Sequence, residues 1–289
     1  MGIDVDVCIV TYKNEATIGS LLESVAKYLP TASVIIQDNS PDDLTRRAVE
    51  QTAYSSRCTI LDDVGNVGFG AACNRIADNS DAEWLVFINP DAEISKMDLN
   101  LERESAHSIL GPIISEPGGE IQRSFGPQRT VGQEAKLRLL RTGDRIPEGR
   151  MAHRPAFVSG AAMAVRRLDF LGLNGFDHNN FFMYYEDIDL CRRAQNAGMS
   201  VTVTPSWRVT HLGGYSAKMA HLESLKRSHI SATNYHRKWN GSNLAFQSIC
   251  LFEAALKCLI ATTRGHVGRT SRPTQWAFFA WLVRGNREV

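Results

Sequence analysis

Three short stretches of this chain put carboxylates where chemistry could use them. In "LVFINPDAEI", Leu85–Ile94, an apolar run leads directly to Asn89, Pro90 and Asp91. Proline fixes its own φ and offers no N–H, so the acid behind it is delivered to a set point. Asp91 would bind a divalent cation through oxygen. Mg2+ and Mn2+ sites commonly use only one or two carboxylates and complete their shell with phosphate oxygens. In "SVIIQDNS" a second apolar run closes on Asp38, Asn39 and Ser40. An ionised carboxylate only accepts hydrogen bonds, so Asp38 suits a ligand N–H such as the N3–H of uracil or thymine. An Asx turn or a cap ahead of the helix near residue 42 is the other use of the same side chain. In "YYEDIDLCRR", Glu186, Asp187 and Asp189 gather at a helix start, where the dipole favours acids whatever their task. Asp189 and Arg193 also have the i,i+4 spacing of a simple helix pair.

These residues need elements to carry them. "VDVCIVTY", "SVIIQDNS", "CTILDD" and "EWLVFINPD" read as strands. "NEATIGSLLESVAKYL", "DDLTRRAVEQTA" and "GNVGFGAACNRIAD" supply helices between them. Strands alternating with helices predict parallel βαβ units and an α/β nucleotide-binding half. In such sheets ligands sit beyond the carboxyl ends of the strands. Four polar strand ends then converge: Thr11-Tyr12, Asp38-Asn39-Ser40, the glycine loop with Asn66 and Gly68, and Asn89-Pro90-Asp91. The "GNVGFG" loop is similar to a phosphate cradle, a weak signal on its own. Further along, "HSILGPIIS", "GEIQRSF" and "FVSGAAMAVRR" predict strands around a long loop near 126–155. "EDIDLCRRAQNAG" predicts a helix ending at Gly198. "SVTVTPSWRVTHLGG" predicts an extended run, interrupted at Pro205 and carrying His211 near its end.

At 289 residues the chain can bury one large core or two lobes, and 32 basic against 31 acidic side chains argue against a dedicated nucleic-acid binder. The balance hides an asymmetry: residues 1–205 hold 28 acidic and 20 basic side chains, residues 206–289 hold 3 acidic and 12 basic. Six cysteines without framework spacing fit buried thiols in a reducing compartment. The first residues lack a basic n-region and cleavage site, so no signal peptide is expected. No apolar run reads as long enough to cross a membrane. From about residue 218 the chain turns helical and basic. "LAFQSICLFEAALKCLIATT" sets Ile249, Phe252, Leu256, Leu259 and Ile260 on one helical face, with Glu253 and Lys257 off it. "QWAFFAWLV" comes next, among arginines. Such helices suit the surface of an anionic membrane; packing on the body or on a second copy, as a homodimer, is the alternative.

Taken in order, "CIVTYKNE", "IIQDNSPDD", "NVGFGAACN", "FINPDAEI" and "FFMYYEDIDLCRRAQNAG" resemble the inverting glycosyltransferases of family 2, in particular their rhamnosyltransferase-like branch, over roughly residues 5–215. The resemblance implies an α/β GT-A fold: a catalytic domain at 1–215 (nucleotide-sugar half 1–100, acceptor half 101–215) and a C-terminal helical extension at 216–289. It implies a dTDP- or UDP-sugar donor, a glycan acceptor such as a polyprenyl-diphosphate-linked sugar, and Mg2+ or Mn2+. Asn-Pro-Asp stands where many relatives carry Asp-x-Asp, which leaves Asp91 as the strong ligand of this motif. By the same resemblance Asp187 is the general base and Glu186 orients the acceptor or the helix end. His211 reaches the metal or the diphosphate, and Gly160 in "FVSGAAM" lines the acceptor side. The aromatic lead-in with Tyr185 would exclude water and stack on sugars. Thr11, Tyr12, Asp38, Asn39, Asn66, Gly68 and Asn89 would line the donor. The basic, aromatic tail points to a place on the cytoplasmic side, peripheral on the inner face of the cell membrane. Two rivals use related sheets. A sugar-nucleotide pyrophosphorylase would show a Gly-rich basic loop after the first strand, and "TYKNEATIG" is not one. A non-catalytic nucleotide or glycan binder fits poorly with an intact "EDIDL".

Overall fold

The computed structural model describes residues 4–98, 101, 107–139, 154–212, 221–264, 266–267 and 270–284. The chain divides into two compact units, one drawn from residues 1–128, 144–182 and 186–216, the other from 129–143, 183–185 and 217–289.

The first unit begins with β1 (Val5–Thr11), α1 (Ile18–Tyr28), β2 (Ser33–Asp38), α2 (Leu44–Glu50), β3 (Cys58–Ile60), α3 (Phe69–Asp78) and β4 (Trp84–Ile88). As the alternation requires, β1 pairs in parallel with both β2 and β4, and β2 with β3. β5 (Ala92–Met97), β6 (Ser108–Ser115), β9 (Ala162–Arg166) and β10 (Ser200–His211) complete an eight-stranded mixed sheet of order β3-β2-β1-β4-β9-β6-β10-β5. β7 (Phe125–Gly126) and β8 (Phe157–Val158) form a separate antiparallel pair. α5 (Arg167–Gly172) and α6 (Glu186–Asn196) come after β9.

Period-two alternation sorts the strands' side chains between two layers. Val7, Ile9, Val34, Ile36, Trp84, Val86 and Ile88 share one core with Ile18, Leu21, Leu22 and Val25 of α1. Those four α1 residues are fully buried, and each such burial is worth about 1.5–3 kcal/mol. Phe87 points the other way, into a cluster with Phe170 and Phe176 at centroid distances of 5.1 and 5.5 Å. β4 is buried along its whole length, so its end is rigid and the Asn89-Pro90-Asp91 turn starts from a fixed point.

Several expectations meet a different outcome. The expected loop at 126–155 contains a helix, α4 (Val131–Leu139), in the second unit; residues 140–153 lie outside the described ones. "GEIQRSF" gives only a bridge at Ile121 and the two-residue β7. The "FVSGAAMAVRR" strand is two strands with a turn at 159–161. β10 runs through Pro205, with its irregularity between Thr204 and Arg208. β5 adds a strand beyond those expected: its alternating "AEISKM" comes too soon after β4 to stand out as a separate strand.

The second unit contains α4, α7 (His221–Asn240), α8 (Leu244–Arg264), α9 (Arg272–Val283), and the short antiparallel pair β11 (His266–Val267) and β12 (Thr270–Ser271). Ala232, Phe246 and Cys250 form its core, with Tyr185 packed against them. Ser271 caps α9, with Pro273 in the first turn.

Candidate functional site

The parallel register sets Thr11 beside Asp38 at the carboxyl ends of β1 and β2. Thr11 Oγ1 donates to Asp38 Oδ1 at 2.8 Å, and the Ser40 N–H donates to the same oxygen at 3.0 Å. The Asx turn expected as an alternative role for Asp38 is therefore formed, and it fixes the carboxylate. The Asn39 N–H donates to the Thr11 carbonyl at 2.9 Å. Asn39 is buried; its Nδ2 donates to the Gly68 carbonyl at 3.4 Å, and its Oδ1 has no protein partner. A buried acceptor without a donor is a group that a ligand N–H or a water would satisfy. Tyr12 is 40% exposed on the rim of this strand end.

In the glycine loop, Asn66 is exposed and turns its Oδ1 back to the Gly68 N–H at 3.1 Å. Gly68 has φ +86°, and a Cβ there would overlap the Phe182 carbonyl oxygen. A Cβ on Gly70 would crowd that of Phe176 at 3.1 Å. Close packing on the Phe176–Phe182 segment thus accounts for both glycines.

The turn after β4 builds a second cluster. The Asn89 N–H donates to the Ala161 carbonyl at 2.9 Å, and the Leu212 N–H to the Asp91 carbonyl at 3.0 Å. β5 pairs antiparallel with β10, with Ala92 opposite His211. That pairing brings Asp91 and His211 together across 120 residues: His211 Nε2 lies 3.1 Å from Asp91 Oδ1. Asn89 Nδ2 lies 3.4 Å from the same nitrogen. Gln122, from the segment after β6, contacts the other ring nitrogen, with its Oε1 3.0 Å from Nδ1.

The residues present fit a small divalent cation. Two adjacent ligands of an octahedral ion at about 2.1 Å stand roughly 3.0 Å apart, close to the separation of Nε2 and Oδ1. Among the described residues no cluster of three or more His, Cys, Asp or Glu side chains is arranged for a metal. A two-ligand protein site suits an ion whose remaining positions go to phosphate oxygens and water.

The acids of α6 separate by environment. Asp187 Oδ2 accepts from the Gly160 N–H at 2.8 Å, and Oδ1 from the Ile188 N–H at 2.8 Å. A Cβ on Gly160 would meet the Asp187 Cβ and the Phe69 ring at 3.4 Å, so the close approach this glycine permits is to Asp187. Gly160 and Ala161 are consecutive. One turn therefore holds both Asp187 and Asn89, which joins the α6 acid to the Asp91–His211 pair. Glu186 is buried, and burial first, then the nearby Asp187 charge, pushes its carboxyl well above the usual range. Burial thus disfavours its charged form relative to that of Asp187. Asp189 pairs with Arg193 at 2.7 Å, and Arg193 donates to the Gly175 carbonyl at 2.8 Å, a structural brace.

In the second unit, Tyr184 and Tyr185 both have positive φ, 71° and 68°. Tyr184 Oη and Ser224 Oγ are 2.7 Å apart, and Tyr185 Oη donates to Glu134 at 3.1 Å. Glu134 is bound by Arg138 at 3.0 Å, and Arg138 also reaches Glu253 at 3.0 Å. The expected apolar face of α8 is largely its exposed one, with Glu253 off it. Glu253 faces inward with Phe246, Cys250, Ala254, Cys258 and Ala261, while Ile249 and Ile260 are half-buried. Leu244, Leu251, Phe252, Leu256 and Leu259 are exposed. Glu253 can sit inside because its charge is held by Arg138 and by Lys257 at 2.6 Å. The expected lack of a span-length segment also needs correction. Leu244–Thr263 is 20 residues long and reaches a mean hydropathy of 1.7 over 18 of them, enough by length and composition to cross a membrane.

Gln122, and the burial that raises the Glu186 carboxyl, are features that sequence reasoning missed. A lone glutamine carries no chemical signal, and adjacent acids in a sequence do not show which of them is buried.

Comparison with known proteins bears on this arrangement. The model of the family "Glycosyl transferase family 2" matches residues 6–108. N-acetylglucosaminyl-diphospho-decaprenol L-rhamnosyltransferase of Mycobacterium tuberculosis is 28% identical over 237 residues, covering 72% of this chain and 76% of that protein. Among solved structures, the mannosyltransferase PcManGT of Pyrobaculum calidifontis, in complex with GDP-Man and Mn2+, has a TM-score of 0.56 at 14% identity, covering 100% of this chain and 89% of that one. GalNAc-T7, solved with UDP, GalNAc and Mn2+, has a TM-score of 0.55 at 16% identity over 72% of this chain, which spans only 43% of that one. These structures share the GT-A fold with the first unit's sheet.

Proposed function

We propose that this chain, which belongs to the family 2 glycosyltransferases and is built on the GT-A fold, moves a rhamnosyl or other hexosyl group from a dTDP- or UDP-sugar to a polyprenyl-diphosphate-linked glycan, with inversion. The observation that carries the reading is the Gly160-Ala161 turn. It ties Asp187 and Asn89 to one backbone segment at the carboxyl edge of the sheet, next to Asp91 and His211. The 28%-identical relative is named for an acceptor of this class, which supports the acceptor reading.

In this reading Thr11, Tyr12, Asp38, Asn39, Asn66 and Gly68 surround the donor's base and ribose. Asp38, oriented by Thr11 and Ser40, accepts the N3–H of the pyrimidine. Asp91 and His211 would hold Mg2+ or Mn2+, which when bound offsets the charge gathering on the departing nucleoside diphosphate. Asp187 accepts the proton of the acceptor hydroxyl as its oxygen bonds to the anomeric carbon. The bond from that carbon to the diphosphate oxygen breaks, and the electron pair leaves with the nucleotide. The Gly160 and Ile188 N–H groups keep the carboxylate aimed throughout. Glu186, whose carboxyl is raised by burial, is the less suited of the two to serve as a base, since two adjacent carboxylates resist double ionisation. We assign residues 1–215 to catalysis and 216–289 to attachment on the cytoplasmic face of the membrane. The exposed leucines and Phe252 of α8 and the basic excess beyond residue 205 favour that surface, where a lipid-linked acceptor resides.

The test is a panel of UDP- and dTDP-sugars incubated with polyprenyl-diphosphate-linked acceptors and Mn2+, read by mass spectrometry. The reading requires a product heavier by one hexosyl or deoxyhexosyl group. Nucleotide release without any glycosylated lipid across the panel would sink the acceptor assignment.

A further inference from the structure

We infer that Gln122 is a positioning residue for the cation site: it fixes the tautomer of His211 so that Nε2 is held as a ligand beside Asp91. The inference rests on the metal reading above.

Gln122 directs both of its polar atoms at one residue. Its Nε2 donates to the main-chain carbonyl of His211 at 2.8 Å, and its Oε1 lies 3.0 Å from His211 Nδ1. A carbonyl oxygen only accepts, so reversing the amide would set two oxygens against each other. The hydrogen-bond network therefore assigns the amide orientation. With Oε1 facing the ring as an acceptor, Nδ1 must carry a hydrogen. In a neutral imidazole the lone pair is then on Nε2.

That lone pair faces Asp91 Oδ1 at 3.1 Å, an oxygen that accepts only when ionised. Two acceptors at this distance repel unless a positive centre lies between them; a proton on Nε2 supplies it in the metal-free protein, and a divalent cation takes its place in the loaded site. Asn89 Nδ2, 3.4 Å from Nε2, is a donor and agrees with a lone pair there. Without Gln122 the other neutral tautomer wins, because Nε2–H would donate directly to Asp91. That tautomer closes the site to metal. The clamp is built into the backbone: the Gln122 N–H donates to the Ile114 carbonyl at 2.8 Å, and Ile121 bridges to Ser115. Histidine ligands held by such a partner commonly lose about 10–100-fold in metal affinity when it is removed.

The test uses the full chain with Gln122→Met, which keeps length and removes both polar atoms, and Gln122→Glu, which keeps an acceptor for Nδ1. Asp91→Ala and His211→Ala serve as references. Mn2+ affinity in the presence of UDP is measured by electron paramagnetic resonance. The 15N shifts of His211 are recorded in the Mg2+–UDP complex. The expected result is a hydrogen on Nδ1 and none on Nε2 in the unaltered protein. Gln122→Met should lose about 10–100-fold in Mn2+ affinity, with metal-free UDP binding unchanged, and Gln122→Glu should keep the Nδ1–H tautomer. A hydrogen on Nε2 in the unaltered complex overturns the inference without any variant. So does Gln122→Met binding Mn2+ normally while Asp91→Ala and His211→Ala do not. If both reference variants also bind normally, the metal reading falls and the inference falls with it.

Discussion

Replacing Asp187 by Asn changes two quantities that can be measured apart. The carboxylate uses both oxygens, Oδ2 for the Gly160 N–H and Oδ1 for the Ile188 N–H, each at 2.8 Å. An asparagine offers one acceptor and one NH2. One of those N–H groups must therefore face a donor, at a cost of about 1–3 kcal/mol in stability. For a chain of this size that lowers the melting temperature by roughly 2–4 °C per kcal/mol, which leaves the protein folded at 25 °C. The catalytic loss is separate and larger. Without a base at this point, turnover falls by about 10²–10⁴-fold. Affinity for UDP or dTDP stays near that of the unaltered protein, because the donor residues hang on β1, β2 and α3. Steady-state kinetics, nucleotide calorimetry and a thermal melt on one preparation give all three numbers. A turnover within about tenfold of the unaltered enzyme refutes the assignment of the base to Asp187.

Glu186→Gln tests the raised carboxyl. A carboxyl raised in the folded state stabilises most fully below its unfolded pKa, about 4.3, and that stability is lost as pH rises toward the folded value. Urea melts of the unaltered protein should show this decline, by up to about 1.4 kcal/mol per pH unit, and Glu186→Gln should flatten it; an unchanged slope would place the charge elsewhere. Gly68→Ala puts a Cβ against the Phe182 carbonyl at a positive φ, so a loss of about 1–3 kcal/mol is expected in denaturant melts; no loss would mean the loop relaxes at little cost. Phe252→Asp with Leu259→Asp alters exposed positions of α8 and should abolish sedimentation with anionic liposomes at low salt while nucleotide binding persists. If the double variant instead turns a dimer into a monomer, and the unaltered protein ignores liposomes, this face binds a second copy.

Much of the first unit was legible because apolar runs of strand length alternate with helical periodicity, and because the polar residues that end each run fall on one edge once the sheet is parallel. Thr11 and Asp38 are in contact for that reason. The Asp91–His211 contact could not be read from spacing. It depends on β5 folding back antiparallel on β10, a pairing 120 residues apart in sequence. The α4 helix escaped notice among glycines and arginines; its Glu134 is buried where Arg129, Arg138 and Tyr185 meet it. The inward face of α8 was not legible, because hydropathy alone does not turn Glu253 inward. A buried ion network is a tertiary fact, which no helical wheel contains.

The stereochemistry of one turnover tests the account most directly. A single displacement with Asp187 as base requires the transferred sugar to change anomeric configuration between donor and product. Proton NMR of the glycosylated lipid, with the donor's configuration known, reads it from the anomeric coupling. The account predicts the opposite configuration in the product. A product that retains the donor's configuration would contradict it, because retention needs a mechanism other than one in-line attack by a hydroxyl that Asp187 deprotonates.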